Sequence, residues 1–156
     1  MEKPMHALTP DQYQRLRRLA EAWTASHLRE SKSLPQFNPL LAADALCFQC
    51  YRLPEHGEQL VGALVTPVSL WLVMLPERAN APLPVAGERC TLTLPSGRYP
   101  MEAVELGDEV ACWRLILLDD LTDVASRQDA SRLAQRLMER VMRSDESAQA
   151  PSQSGA

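Results

Sequence analysis

Seventeen consecutive residues without a charge, Leu60 to Pro76 (LVGALVTPVSLWLVMLP), constrain this chain more than any other stretch of it. The run stops just short of the roughly 18 or more apolar residues that read as a membrane-spanning helix. Thr66, Pro67 and Ser69 interrupt it, and Pro67 would break a helix because its ring clashes with the preceding turn and it lacks an N–H. The four valines in the run favour strands. It therefore reads as two buried strands joined at Thr66-Pro67. Few of its side chains can do chemistry, which points to a protein that folds and binds rather than one that catalyses.

With 156 residues the chain is long enough for one domain with a real core. A net charge of −4 argues against sequence-independent nucleic-acid binding, which needs phosphate-neutralising basic patches. The first twelve residues, MEKPMHALTPDQ, contain no apolar signal core, and the four cysteines form no disulfide-rich pattern. Those features lead to an expectation of a cytoplasmic protein without membrane insertion. The charge is unevenly spread. Residues 86–125 hold eight acids and three arginines, whereas residues 126–143 hold five arginines and two acids. Two readings follow: the helices lie over acidic sheet edges and partly neutralise them, or the acids form a surface for a basic peptide.

Helix signals open and close the chain. Thr9, Pro10 and Gln12 form a capping box with proline at the first helical position. Tyr13, Leu16, Ala20, Trp23 and His27, with Leu19 beside them, predict one apolar stripe, with Arg15, Arg17, Arg18 and Glu21 facing away and the helix ending near Ser31. Strands are expected over 45–52, 60–65, 69–75, 88–94, 99–106 and 110–118, punctuated by Pro54–Gly57, Pro95-Ser96-Gly97 and Gly107-Asp108. A last helix starting at Thr122 or Ser126 and running to Met142 carries Ala130, Leu133, Ala134, Leu137, Met138, Val141 and Met142 on one face. The expected fold class is α+β: an N-terminal helix, about six mostly antiparallel strands in a meander or half-open barrel, and a C-terminal helix. Residues 1–143 are expected to form a single domain, and the Ser/Gln/Ala-rich residues 144–156 a tail without order.

No nucleophile–base pair and no metal-ligand spacing is visible, so no catalytic residue, metal site or cofactor is assigned. Cys47 and Cys50 make a single CxxC, half of a zinc site at most. It lies in a strand-like run, where residues three apart point to opposite faces. A redox or metal-binding accessory protein using this pair is the alternative reading. Asp119-Asp120 invites a metal reading but sits just before a helix, where acids are favourable on their own account. Trp71, between Leu70 and Leu72, is the residue singled out for a surface role: one face of its strand would form an interaction strip unless helices cover both.

Several segments, in order, carry a family resemblance: Phe37-Asn38-Pro39-Leu40, the strand around Phe48, Leu60 to Pro67, Met74-Leu75-Pro76, Leu94 to Tyr99, and Gly107 with Cys112. Over residues 37–134 the chain resembles the HybE/HupJ-type assembly chaperones of nickel–iron hydrogenases. It departs from their usual pattern at Val68–Trp71 and after Cys112. The resemblance implies a non-enzymatic chaperone that binds a hydrogenase small- or large-subunit precursor, including one bearing a twin-arginine export signal. Such a signal presents two guanidiniums followed by an apolar segment, and its binder needs carboxylates beside an apolar groove. Val68, Leu70, Trp71, Glu102, Glu105, Asp119 and Asp120 are the residues expected to meet it. An unpaired edge strand would also allow a homodimer.

Overall fold

The structure, a computed structural model, describes residues 8–107 and 109–143. The expected tail 144–156 and the Asp108 half of the expected turn lie outside them. Helix α1 (Pro10–Ser31) is followed by strands β1 (Asp44–Leu53), β2 (Gly57–Val65), β3 (Leu70–Pro76), β4 (Arg89–Leu94), β5 (Gly97–Gly107) and β6 (Val110–Leu118), then by helix α2 (Arg127–Val141). The expected α+β class and its element order are those of the structure.

The strand order β1-β2-β3-β6-β5-β4, antiparallel throughout, is more specific than the meander expected from sequence. Two three-stranded meanders are joined where β6 pairs with β3, so β4 lies at the far edge rather than beside its sequence neighbour β3. The sheet curls. Leu53 of β1 and Leu92 and Leu94 of β4 come from opposite edges yet share one apolar cluster with Ala130, Ala134, Met138 and Val141 of α2. His56, in the β1–β2 turn, places Nε2 3.0 Å from the Thr91 carbonyl oxygen of β4, which links the two edges at one end.

Helix α1 covers the other face, through Leu16, Leu19 and Trp23. The charge-free run is thereby explained. In β3 the side chains of Leu70, Leu72 and Met74 enter the α2 cluster, and those of Trp71, Val73 and Leu75 enter the α1 cluster. A strand buried on both faces loses the polar alternation that a half-exposed strand shows.

Local signals behave as their chemistry requires. The Thr9 hydroxyl accepts from the Gln12 N–H at 3.1 Å, and the Thr9 N–H donates to Gln12 Oε1 at 2.9 Å. Ser126, not Thr122, caps α2, its hydroxyl accepting from the Asp129 N–H at 3.0 Å. The chain before it turns at Leu121 to Val124 instead, closed by a 3.0 Å backbone bond. Two expectations for α1 are corrected. Tyr13 is 56 % exposed, because it stands at the rim of the gap between α1 and β1 and not over the sheet. Arg15 does not face away: its guanidinium crosses the end of β3 and donates to the carbonyls of Pro76 (2.7 Å) and Glu77 (2.8 Å).

The CxxC spans a bulge. The β1–β2 register shifts between Leu46 and Gln49, and Cys47 takes a left-handed φ of 61°. Cys47 packs toward the α2 cluster and Cys50 toward the α1 cluster, and all four cysteines are free thiols. The bulge lays Phe48 directly over Gly62 of β2.

Candidate functional site

The turn between β2 and β3 is held by its own hydrogen bonds. Pro67 ends the β2 ladder, and the Thr66 hydroxyl oxygen accepts from the N–H groups of Val68 (3.1 Å) and Ser69 (2.9 Å). Asn38, buried, ties this turn to the rest of the molecule. Its N–H donates to the Pro67 carbonyl at 2.9 Å, and its Nδ2 donates to the carbonyls of Leu121 and Val124, each at 2.9 Å. One residue, through its backbone and its side chain, thus joins the segment after α1, the β2–β3 turn and the segment after β6. Ser69 then orients the aromatic ring: Trp71 Nε1 donates to Ser69 Oγ at 2.8 Å.

Beside this turn, on the α1 face, lies a cleft of about 540 Å³. Trp23 and His27 of α1 wall it, with their rings 5.9 Å apart. Trp71 of β3, Arg114 and Ile116 of β6, and Glu102 and Val104 of β5 form its floor and far side. Glu105 and Asp119, both exposed, stand at its rim. The strand register explains the grouping, since Trp71 pairs with Ile116 and Arg114 pairs with both Val73 and Glu102. The Arg114 guanidinium carbon sits 4.6 Å from the centre of the Trp71 ring.

Of the seven residues singled out from the sequence, Val68, Trp71, Glu102, Glu105 and Asp119 line this cleft together. Leu70 does not: it is fully buried on the opposite face, because adjacent strand residues point opposite ways. Asp120 lies just beyond the lining. Its carboxylate accepts from the Thr122 hydroxyl (2.7 Å) and N–H (2.9 Å), contacts that hold it below the usual carboxylate range. Trp71 is itself only 4 % exposed, so the apolar surface offered to solvent is Ile116, at 43 %, with partly exposed Val68 and Val104 around it. Arg114, His27 and Ile116 were not foreseen as neighbours of this site. A lone arginine in the apolar stretch Trp113–Leu118 was the available signal.

No ion pair among the described residues ties the acids of residues 86–125 to either helix. Among the described residues none of them takes part in an ion pair, and the α2 arginine that does reach a strand, Arg127, meets Asp44 of β1 at 3.6 Å. The cleft lining therefore holds three carboxylates against one guanidinium. Also among the described residues, no three His, Cys, Asp or Glu side chains assemble into a metal site, and no helix is long and apolar enough to cross a membrane.

The thiols oppose a redox role. A reactive cysteine needs a lowered pKa, whereas burial raises Cys47, Cys50 and Cys90, each with a further push from a nearby glutamate. Cys112 is pushed up to about 12 by burial, despite Arg114 nearby. Iodoacetamide at about pH 8 is accordingly expected to leave Cys112 of the folded protein unmodified while slowly labelling the three partly exposed thiols. Labelling read by mass spectrometry tests this. Cys112 alkylated as fast as the others in the native protein would contradict its burial under α1.

Residues 14–155 match the family model described as "[NiFe]-hydrogenase assembly, chaperone, HybE". The hydrogenase expression/formation protein HoxT of Azotobacter vinelandii is 30 % identical over 125 residues, covering 78 % of this chain and 76 % of that protein. The hydrogenase expression/formation protein HupT of Azotobacter chroococcum mcd 1 is 41 % identical over 66 residues, covering 42 % and 41 %. The solution structure of HybE from Escherichia coli is similar over 62 % of this chain and 60 % of that one, at 21 % identity and a TM-score of 0.48.

Proposed function

This chain belongs to the HybE family of nickel–iron hydrogenase assembly chaperones, and from that premise we propose that it holds a hydrogenase subunit precursor by its twin-arginine export signal, in the cleft between α1 and the sheet. Its role lies in hydrogenase maturation, in a family of assembly chaperones rather than of catalysts. The holding step takes place in the cytoplasm, before export, and needs no cofactor.

One observation carries the reading: Glu102, Glu105 and Asp119, without an ion pair among the described residues, stand around an aromatic and aliphatic floor in the same cleft. Carboxylates recognise guanidiniums through charge-assisted, often bidentate hydrogen bonds. Ile116, Val68 and Val104 offer the apolar surface that the segment after the two arginines would cover. Asp120 extends the acidic rim beyond Asp119. Leu70 contributes from behind, by packing the strand that carries Trp71.

The test is a calorimetric titration of the full chain with a signal peptide of a hydrogenase subunit precursor. Glu102→Gln, Glu105→Gln and Asp119→Asn together are expected to weaken binding about tenfold or more and to flatten its dependence on salt, since each charged hydrogen bond is worth about 1.5 kcal/mol or more. Replacing the peptide's two arginines by glutamine is expected to do the same to the unaltered protein. Binding indifferent to both changes would rule out this cleft as the site.

A further inference from the structure

The cleft already holds one guanidinium, that of Arg114, against the Trp71 ring. We infer that Arg114 is an internal stand-in for the client's arginine, which must leave the Trp71 ring before the client's guanidinium can take that face. The inference rests on the chaperone reading above and adds to it the residue that sets the cleft's affinity and selectivity.

Three observations support it. First, the Trp71 face is a prepared cation site. Ser69 fixes the indole through Nε1, and Arg114 stacks 4.6 Å from the ring centre. The ring is buried with Arg114 in place, so no second guanidinium can stack there at the same time. Second, Arg114 is weakly held. Among the described residues its guanidinium makes no ion pair, although Glu102 is its cross-strand neighbour, and no buried side-chain nitrogen or oxygen is left without a partner. Swinging outward therefore sacrifices the stack on Trp71 and breaks no ion pair among the described residues. Third, the surrounding charge selects the sign of the ligand. With Arg114 present, three carboxylates still face one guanidinium across the lining, which attracts a cation and repels an anionic segment.

A site that is occupied from within binds its ligand less tightly than the same site left open, because the ligand must first displace the occupant. Arg114→Met keeps an apolar stem over the sheet and removes the competing cation. It is expected to bind a peptide with two arginines before an apolar segment about two- to fivefold tighter than the unaltered chain. Arg98→Met, at an exposed position near the start of β5, removes the same charge elsewhere and is expected to leave affinity unchanged. Arg114→Lys retains the charge but not the planar stack and is expected to fall between. It preserves the ordering as a test if the methionine variant fails to fold. The measurement is isothermal titration calorimetry of the full-length proteins. Weaker or unchanged binding by Arg114→Met while the unaltered chain binds would overturn the stand-in role alone, and equal gains from Arg98→Met and Arg114→Met would reduce it to net charge. No binding by any of the four proteins would overturn the chaperone reading along with it.

Discussion

Leu72→Ala is expected to destabilise the protein by about 4 kcal/mol, because a fully buried leucine leaves both its transfer energy and a cavity behind. Leu72 sits at the middle of β3, between Ala63 of β2 and Leu115 of β6, with none of its surface exposed. The strands paired on either side, β2 and β6, hold the cavity open, so the site relaxes little. Urea unfolding followed by circular dichroism should show a lower midpoint with an unchanged slope, which marks a loss of stability without a change of native compactness. Ile116→Ala, on the neighbouring strand but half exposed, is expected to cost about 1 kcal/mol or less. Equal losses at the two positions would contradict the burial of β3 on both faces.

Gly62→Ala is expected to cost about 3 kcal/mol, the upper part of the usual range for forcing a methyl group into a filled space. An added Cβ at Gly62 would overlap Phe48 Cγ and stand 2.7 Å from Phe48 Cα. The ring could rotate away; the backbone atom cannot. It is held by the bulge, where Cys47 sits at φ 61° and the β1–β2 register shifts. Shrinking the ring, as in Phe48→Leu with Gly62→Ala, should therefore recover only part of the loss. A thermal midpoint for Gly62→Ala within about 2 °C of the unaltered protein would contradict the close approach of Phe48 to Gly62.

The elements were legible because each rests on neighbours in sequence. The capping box of Thr9 and Gln12, the apolar face of α2 and the turn at Thr66-Pro67 all involve residues within one or two turns of one another. Arg15 and Tyr13 were misplaced because the helical period assigns a residue to a face of the helix but does not say how far the sheet extends beneath it. The site was legible in part. Trp71 stood out in an apolar strand, and the acids stood out by count, but the partner face of Trp71 depends on which helix lies over which side of the sheet.

By itself the sequence determined the α+β class, the element order and an uncharged central strand pair, since those follow from hydrophobic period, capping and proline chemistry acting over a few residues. It also determined the family, through the order of short motifs from Phe37 onward. Only the tertiary structure decided that β6 pairs with β3, and with it that Arg114 lies on Trp71 beside Glu102. That pairing joins residues about forty positions apart in the chain. Its energy lies in contacts made only when both meanders are formed, so no local pattern in the sequence could announce it.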